Sequence, residues 1–243
     1  MLPIFIIIHE IGVLYNHISL VKSGTMLKAL IFDFDGLMLD TETPEYDALN
    51  EVYTEFGQHL PIETYGLVVG SQYNHEFEPV AHLRALTGKP LDADSFWKKV
   101  NRRRLEMIEE NPLLPGVETY IREGKALGLK LAVASSSPHT WVDGHLKRLG
   151  LFHYFDVVKC KEDVRNIKPD PELFLATLNA LQLQPEEAVI FEDSAHGVLA
   201  ARLAGIRIVL VPNPVTRHLN IEGETLRLNS LADLPLGDLL GKL

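Results

Sequence analysis

The sequence predicts an α/β fold in which a doubly wound, mostly parallel sheet carries an inserted all-helical domain. Short apolar runs alternate with helical patterns along most of the chain, which is the order that a parallel sheet covered by helices requires. Residues 33–128 separate the first apolar run from the second, although a crossover between parallel strands needs only on the order of a dozen residues. The surplus residues therefore predict an insertion after the first strand.

Five apolar runs predict the strands of the sheet, and the first of them, Ala29–Phe32, ends in Asp33 and Asp35. Carboxylates do not belong inside a strand that is buried on both faces, so they mark its carboxyl end, where ligands bind in open α/β sheets. Gly36 then permits a sharp turn and a close approach of the backbone to another group. The alternative is that the aspartates only cap a turn. The predicted strands are 29–32, 129–134, 155–158, 188–191 and 206–211.

Helical periodicity predicts the remaining elements. Apolar positions at helical spacing end at Gly57, Gly150 and Gly205, and residues 116–127 would suffice for the crossover to the second strand. Turn-forming residues at 40–44 and 111–116 are typical of hinges on either side of the insertion. We therefore expect a core domain of residues 26–41 and 113–243, a helical domain of residues 42–112, and an N-terminal extension, residues 1–25, outside the fold.

The N-terminal extension is strongly apolar from Leu2 to Leu14, but it is short for a membrane span and contains His9 and Glu10. It also lacks the basic start and the small-residue cleavage site of a signal peptide. A helix docked on the surface or on a second subunit is the alternative to an extension outside the fold.

Composition narrows the class of protein. A net charge of -10 and a pI near 5.5 argue against nucleic acid as a partner, and the run Arg102–Arg104 is predicted to form the solvated face of a helix. The single cysteine, Cys160, excludes an internal disulfide and is interpreted as a core or surface thiol, as expected in the cytoplasm. We expect a small-molecule partner and no membrane association, and we prefer a monomer while leaving the oligomeric state open.

Polar residues lie at or near the ends of four predicted strands, in a fixed chain order. They are Asp33 and Asp35, Ser135–Ser137, the loop Asn166–Pro171, and Glu192 with Asp193. Together with the insertion after the first motif, these residues resemble the four motifs of the haloacid dehalogenase superfamily. The likeness is to the branch of phosphatases and beta-phosphoglucomutases that has a helical cap, and it covers residues 27 to about 215. It implies a Rossmann-like core and phosphoryl transfer.

The resemblance implies a role for each of these residues. Asp33 is the expected nucleophile, which takes the phosphoryl group as an aspartyl-phosphate, and Asp35 the expected acid and base. Ser135, Ser136 and Lys168 would bind the phosphate, with the backbone amides at the start of the following helix. The side chains of Asp33 and Asp193 and the backbone carbonyl of Asp35 would bind Mg²⁺, with Glu192 as a ligand or a support. Counting charges also favours a cation, since these carboxylates and a phosphate cannot share a pocket unneutralised.

The choice between hydrolysis and phosphoryl isomerisation rests on the cap. The stretch Val69–His75 lacks the arginine that follows the cap glycine in beta-phosphoglucomutases, and Glu45 stands where those enzymes have a histidine. We therefore predict a Mg²⁺-dependent phosphatase for a small phosphate monoester, such as a sugar phosphate. The alternatives are a phosphomutase and a catalytically silent binding module. Candidate substrate contacts are Glu45, Tyr73, Asn74 and His75, and His139, for which a surface position is favoured, is a further candidate.

Overall fold

The computed structural model of the protein, which describes residues 26–70 and 77–243, contains a six-stranded parallel sheet. The spatial order of the strands is β3-β2-β1-β4-β5-β6, with β1 and β4 at the centre. The strands are β1 Ala29–Phe32, β2 Lys130–Ala134, β3 Val157–Lys159, β4 Ala188–Glu192, β5 Arg207–Leu210 and β6 Leu226–Arg227. The predicted doubly wound α/β class is confirmed.

β1 has the predicted bounds, β2, β4 and β5 differ from the prediction by one residue at one or both ends, and β3 and β6 differ more. β3 begins at Val157 rather than Phe155, because the side chain of Asp156 accepts a hydrogen bond from the backbone N–H of Leu131 and so fixes the approach to the sheet. β6 was not expected, since it has only two residues and no apolar run of its own.

Helices cover both faces of the sheet, which explains why the central strands are apolar throughout. Leu30 and Phe32 of β1 face one layer and Ala29 and Ile31 face the other. The helices are α1 Glu42–Glu55, α2 Ile62–Gly66, α3 Pro79–Thr87, α4 Ala93–Glu109, α5 Val117–Ala126, α6 His139–Arg148, α7 Glu172–Leu181, α8 Ala195–Leu203 and α9 Leu236–Leu240. α5, α6 and α9 pack on the first face, and α7 and α8 on the second.

The insertion is helical, as predicted, and has its own apolar core. α1 and α4 pack against each other through side chains such as Val52, Tyr53 and Val100. The hydroxyl of Tyr53 also donates a hydrogen bond of 2.8 Å to the carbonyl of Pro79, which ties α1 to the start of α3. The helical layer thus has its own apolar cluster, which Val215 of the segment after β5 also joins.

The two connections between the insertion and the sheet run side by side. Leu39 and Leu113 form an antiparallel bridge, the N–H of Leu114 donates to the carbonyl of Met38 at 2.9 Å, and the amide of Asn111 donates to the carbonyl of Asp40. These bonds place the start of α1 above the carboxyl end of β1. Among the described residues, none of the helices has the length and apolar character that crossing a bilayer demands.

Candidate active site

A cavity of about 540 Å³ lies where the carboxyl edge of the sheet meets the helical insertion. The insertion touches the edge directly, because the hydroxyl of Ser136 donates to the carbonyl of Gly70 and His196 hydrogen-bonds to the carbonyl of Val69. The sheet side of the cavity is lined by Asp33, Asp35, Ser135, Ser136, Ser137, Pro138, Trp141 and Lys161. The insertion and its first connection contribute Thr41, Glu42, Glu45, Tyr65, Val68, Val69, Gly70 and Arg104.

Lys168 is the buried cation of the site. Its Nζ lies 2.6 Å from Oδ1 of Asp33 and 2.5 Å from Oε1 of Glu192, and all three side chains are almost completely buried. Burial raises the pKa of Asp33 to about 7; Lys168 opposes this shift and Glu192 adds to it. Burial works against the charge on Lys168, but the two carboxylates overcome it and raise the pKa of the amine. Lys168 is therefore held as a fixed positive charge beside Asp33.

Glu192 and Asp193 follow each other at the end of β4 but have different surroundings. Glu192 uses both oxygens within the protein, because Oε1 accepts from Lys168 and Oε2 accepts from the backbone N–H groups of Asp193 and Ser194 and from the Ser194 hydroxyl. Asp193 accepts a 2.6 Å hydrogen bond from the amide of Asn213 at Oδ2. This geometry fits Glu192 as a support and Asp193 as a ligand.

Asn213 is a buried residue that sequence reasoning missed. Its Oδ1 accepts from the backbone N–H groups of Val215 and Thr216, so the side chain amide has one orientation, with Nδ2 on Asp193. The sequence contains only a weak signal for this role, because an asparagine between two prolines is typical of a turn. Gly36 adopts φ +76°, and a Cβ there would lie 2.4 Å from Asp193 and 2.5 Å from Asn213. The close approach expected at this glycine is to these side chains.

The donor set suits a hard divalent cation. One carboxylate oxygen from each of Asp33, Glu192 and Asp193 lies within 4.8 Å of the others, and all three residues are buried. Burial raises the pKa of Asp193 well above its usual range, and the neighbouring Glu192 and Asp33 charges raise it further. Glu42, buried near the same aspartates, shows the same direction of pKa shift for the same main cause. Among the described residues Lys168 is the one buried lysine, so this group of carboxylates is short of positive charge.

Asp35 faces away from the Lys168 cluster, toward the residues that follow β2. Its Oδ2 accepts from the hydroxyls of Ser137 at 2.6 Å and Ser135 at 3.3 Å, and its Oδ1 accepts from the indole N–H of Trp141 at 2.8 Å. The indole N–H can only donate and each hydroxyl can donate or accept, so these three contacts orient the carboxyl group of Asp35. Trp141 was not among the predicted site residues, so its contact with Asp35 is new.

The start of α6 was expected to present backbone amides to a phosphate. The first of them, the N–H of His139, instead donates to the carboxylate of Glu162 at 3.1 Å. The His139 side chain contacts Asp143 and Asp163, and the residue is not among those that line the cavity in the described part of the chain. The surface position favoured for His139 agrees with this placement.

The insertion brings charged side chains to the cavity. Arg104 donates to Oε2 of Glu45 at 2.7 Å, and its guanidinium lies 5.5 Å from the centre of the Trp141 ring. The expectation that Arg102–Arg104 forms only a solvated face is wrong for Arg104, because α4 turns this residue toward the sheet while Arg103 pairs with Glu51 outside. The candidates Tyr73, Asn74 and His75 lie outside the described residues.

Comparison with known proteins identifies the class. Residues 30–211 match the sequence family "Haloacid dehalogenase-like hydrolase", so the chain belongs to that family. It is 44% identical over 218 residues to "Putative phosphatase YhcW" of Bacillus subtilis, covering 90% of this chain and 98% of that protein. It is 36% identical over 184 residues to "Phosphorylated carbohydrates phosphatase" of Thermotoga maritima, covering 74% and 82% of the two chains.

A solved structure shows the same fold. CbbY from Rhodobacter sphaeroides, a mutant crystallised with xylulose-(1,5)bisphosphate, superposes with a TM-score of 0.68 at 29% identity. The match covers 86% of this chain and 96% of that one. The family and its helical cap, expected from the four motifs, are confirmed.

Proposed function

We propose that the protein is a Mg²⁺-dependent phosphatase that hydrolyses a small phosphate monoester through an aspartyl-phosphate on Asp33. The observation that carries this proposal is the buried contact between Lys168 and Asp33 at the carboxyl edge of the sheet, beside Asp193. Lys168 neutralises part of the charge that a phosphoryl group brings, and it opposes the rise in the pKa of Asp33 that burial causes, which favours the ionised form that attacks phosphorus. The similarity to phosphatases in this family supports the same reaction.

Two displacements at phosphorus complete the reaction. An oxygen of Asp33 attacks phosphorus, the bond to the ester oxygen breaks, and the protonated form of Asp35 gives its proton to the departing alkoxide. Asp35, now a carboxylate, takes a proton from water, whose oxygen attacks phosphorus and releases Asp33 and inorganic phosphate. Ser135, Ser137 and Trp141 hold the carboxylate form of Asp35, which is the form required for the second step.

Asp33 and Asp193 are the side chains proposed to hold Mg²⁺, with the backbone carbonyl of Asp35. A bound Mg²⁺ supplies positive charge that offsets the repulsion between the phosphate and the carboxylates. Glu192, assigned to the same metal from the motif, is proposed to support the site rather than to bind the ion, since Lys168 and backbone N–H groups occupy its oxygens.

The insertion is proposed to select the substrate. Arg104 and Glu45 offer a positive and a negative group on the cavity wall, and Thr41 brings a buried hydroxyl that has no hydrogen-bond partner among the described residues. Such groups suit the hydroxyls of a sugar phosphate, and the phosphorylated-carbohydrate phosphatase of Thermotoga maritima supports that class of substrate. Ser135, Ser136 and Lys168 would bind the transferring phosphate, and Glu45, Tyr73, Asn74 and His75 remain proposed contacts.

The proposed division of the chain follows from these roles. Residues 26–41 and 113–243 would form the catalytic core and residues 42–112 the cap. The apolar cluster shared by α1 and α4 supports a cap that moves as a unit about the paired connections at Leu39 and Leu113.

The test is an assay of phosphate release from a panel of sugar phosphates and other small phosphate esters, with Mg²⁺ and with a chelator. We expect Mg²⁺-dependent turnover of at least one ester, lost in Asp33→Asn and kept in Asp238→Asn, which changes an exposed aspartate on α9. Conversion of a hexose phosphate into its isomer would show that the protein is a phosphomutase rather than a phosphatase. Failure to turn over any ester would contradict the proposal.

A further inference from the structure

A second cluster of metal-ligating groups lies outside the cavity and has no part in the proposed reaction. It consists of His139 and Asp143 on α6 and Cys160 immediately after β3. One ligand atom from each residue lies within 4.8 Å of the ligand atoms of the other two. The topology brings them together, because α6 leaves the carboxyl end of β2 while β3 lies beside β2 in the sheet.

The imidazole of His139 is oriented by two carboxylates. Its Nε2 lies 2.7 Å from Oδ2 of Asp163, and its Nδ1 lies 3.3 Å from Oδ1 of Asp143. Asp163 is itself fixed, because it accepts from the ammonium of Lys159 at 2.9 Å and from the backbone N–H of Cys160 at 2.8 Å. Burial lowers the pKa of His139, but the hydrogen bonds to Asp163 and Asp143 outweigh it and raise the pKa. A metal ion would replace the proton on Nδ1, while Nε2 donates to Asp163. A carboxylate that orients a histidine in this way is a recurrent support of metal-binding histidines.

Cys160 contributes a sulfur atom, which is a soft metal ligand, to the cluster. Its side chain is fully buried, and its sulfur accepts a hydrogen bond from the backbone N–H of Asp163. Burial, followed by the charges of Asp143 and Asp163, raises the pKa of the thiol, so a thiolate ligand at this position would need a cation beside it. A metal ion supplies that cation and displaces the thiol proton.

We propose that Nδ1 of His139, a carboxylate oxygen of Asp143 and the sulfur of Cys160 form a binding site for one Zn²⁺ ion. The thiolate and the carboxylate balance the charge of the ion. In a tetrahedral zinc site, a nitrogen and an oxygen ligand at their usual distances from the metal are roughly 3.3 Å apart. The Nδ1 to Oδ1 distance in the protein already has this value. His139 and Asp143 are partly exposed, so the ion can enter from solvent and water can complete its coordination.

The two clusters differ in the metals that they favour. The cavity offers carboxylate oxygens, which suit Mg²⁺, whereas this cluster offers nitrogen, oxygen and sulfur, which suit Zn²⁺ and Co²⁺. The Zn²⁺ site is independent of the phosphatase activity.

The test uses the full-length protein, freed of metal with a chelator and titrated with Co²⁺, whose bond to a thiolate gives a charge-transfer absorption band. We expect this band to saturate at one equivalent in the wild type and in Asp193→Asn, and Zn²⁺ to abolish it by competition. His139→Gln should weaken Co²⁺ binding about tenfold or more, and Cys160→Ser should eliminate the band. His153→Ala, which changes an exposed histidine nearby, is the matched control and should bind like the wild type.

Absence of the thiolate band from the wild type would overturn the proposal, as would an unchanged Co²⁺ affinity in His139→Gln. Circular dichroism of each variant separates a lost site from a lost fold, and His139→Gln alters a partly exposed side chain that the core does not need. A protein that gives the band but hydrolyses no ester would support the zinc site while contradicting the phosphatase.

Discussion

The two walls of the cavity are built differently. The sheet wall, which we define as Asp33 and Asp35 on the cavity together with the buried residues Lys168 and Asp193, which do not line it, lies at the carboxyl edge of the sheet, and most of its charged groups are buried. The Lys168 side chain is 1% exposed and that of Asp33 is 6% exposed. The cap wall, which we define as Glu45, Tyr65 and Arg104, places its groups on helices, and the side chains of Arg104 and Glu45 are 28% and 21% exposed.

We expect the sheet wall to carry out the reaction and the cap wall to recognise the substrate. A buried charge is stable only beside a partner, so each member of the sheet wall depends on its neighbours and tolerates little change. A partly exposed pair such as Arg104 and Glu45 still reaches solvent when a substrate is absent, so either group can exchange its partner for a ligand at lower cost than a buried charge. We therefore expect changes in the sheet wall to affect turnover and folding together and changes in the cap wall to affect substrate binding.

The largest effect is expected for Lys168→Met. Removal of the ammonium leaves Asp33 and Glu192 buried without a cation, which costs on the order of 3–5 kcal/mol of folding stability. Phosphate release should fall below detection, and the thermal unfolding midpoint should drop. Lys242→Met, at an exposed lysine after α9, should alter neither measurement. A Lys168→Met protein with normal stability would show that the sheet wall is not coupled as we describe.

Arg104→Gln tests the cap wall. If Arg104 binds a polar group of the substrate, its loss should lower kcat/KM about 10- to 100-fold, mostly through a higher KM, because a hydrogen bond to a charged group contributes about 1.5–3 kcal/mol. The unfolding midpoint should stay near that of the wild type. Arg103→Gln is the matched control, since Arg103 is the preceding residue of α4 and pairs with Glu51 away from the cavity. Equal kcat/KM values in Arg104→Gln and Arg103→Gln would show that Arg104 does not bind the substrate.

Asn213→Ala tests whether a residue that does not contact the substrate supports the sheet wall. The variant removes the 2.6 Å hydrogen bond to Asp193, and we expect the affinity for Mg²⁺ to fall about 10- to 100-fold. Calorimetric titration of the metal-free protein with Mg²⁺ measures this directly, and the Mg²⁺ concentration needed for half-maximal turnover gives a second reading. Asn220→Ala, at an exposed asparagine, should bind Mg²⁺ like the wild type. An unchanged affinity for Mg²⁺ in Asn213→Ala would show that Asn213 does not contribute to the metal site.

The sequence was sufficient to predict the fold and to place Asp33, Asp35 and Asp193 at one edge of the sheet for one physical reason, whereas Lys168 was expected from the resemblance to the family. Apolar strands that end in carboxylates, serines or an acidic pair mark the carboxyl edge of a parallel sheet, so Asp33, Ser135 and Asp193 could be placed at one edge before any coordinates were known. The two-residue strand β6 escaped prediction because a strand that short has no periodicity.

The cap wall was harder to predict. Which of three consecutive arginines on α4 faces the cavity depends on how the helix is rotated against α1, and that rotation is set by tertiary packing. Asn213 and Trp141 were missed for a related reason, since each acts through a single hydrogen bond to an aspartate far away in the sequence. The sequence pattern around a residue does not show which distant residue its side chain hydrogen-bonds to.

The smallest effect is expected for Trp141→Phe, which tests a residue that contacts both walls. Its indole N–H holds Oδ1 of Asp35 at 2.8 Å, and its ring lies under the guanidinium of Arg104. Phenylalanine keeps an aromatic face for Arg104 but loses the hydrogen bond, which contributes on the order of 1 kcal/mol, so kcat should fall a few-fold while KM stays nearly constant. Steady-state kinetics on the best ester measures both. If KM rises and kcat does not change, the role of Trp141 is to position Arg104, and Asp35 is held by Ser135 and Ser137 without it.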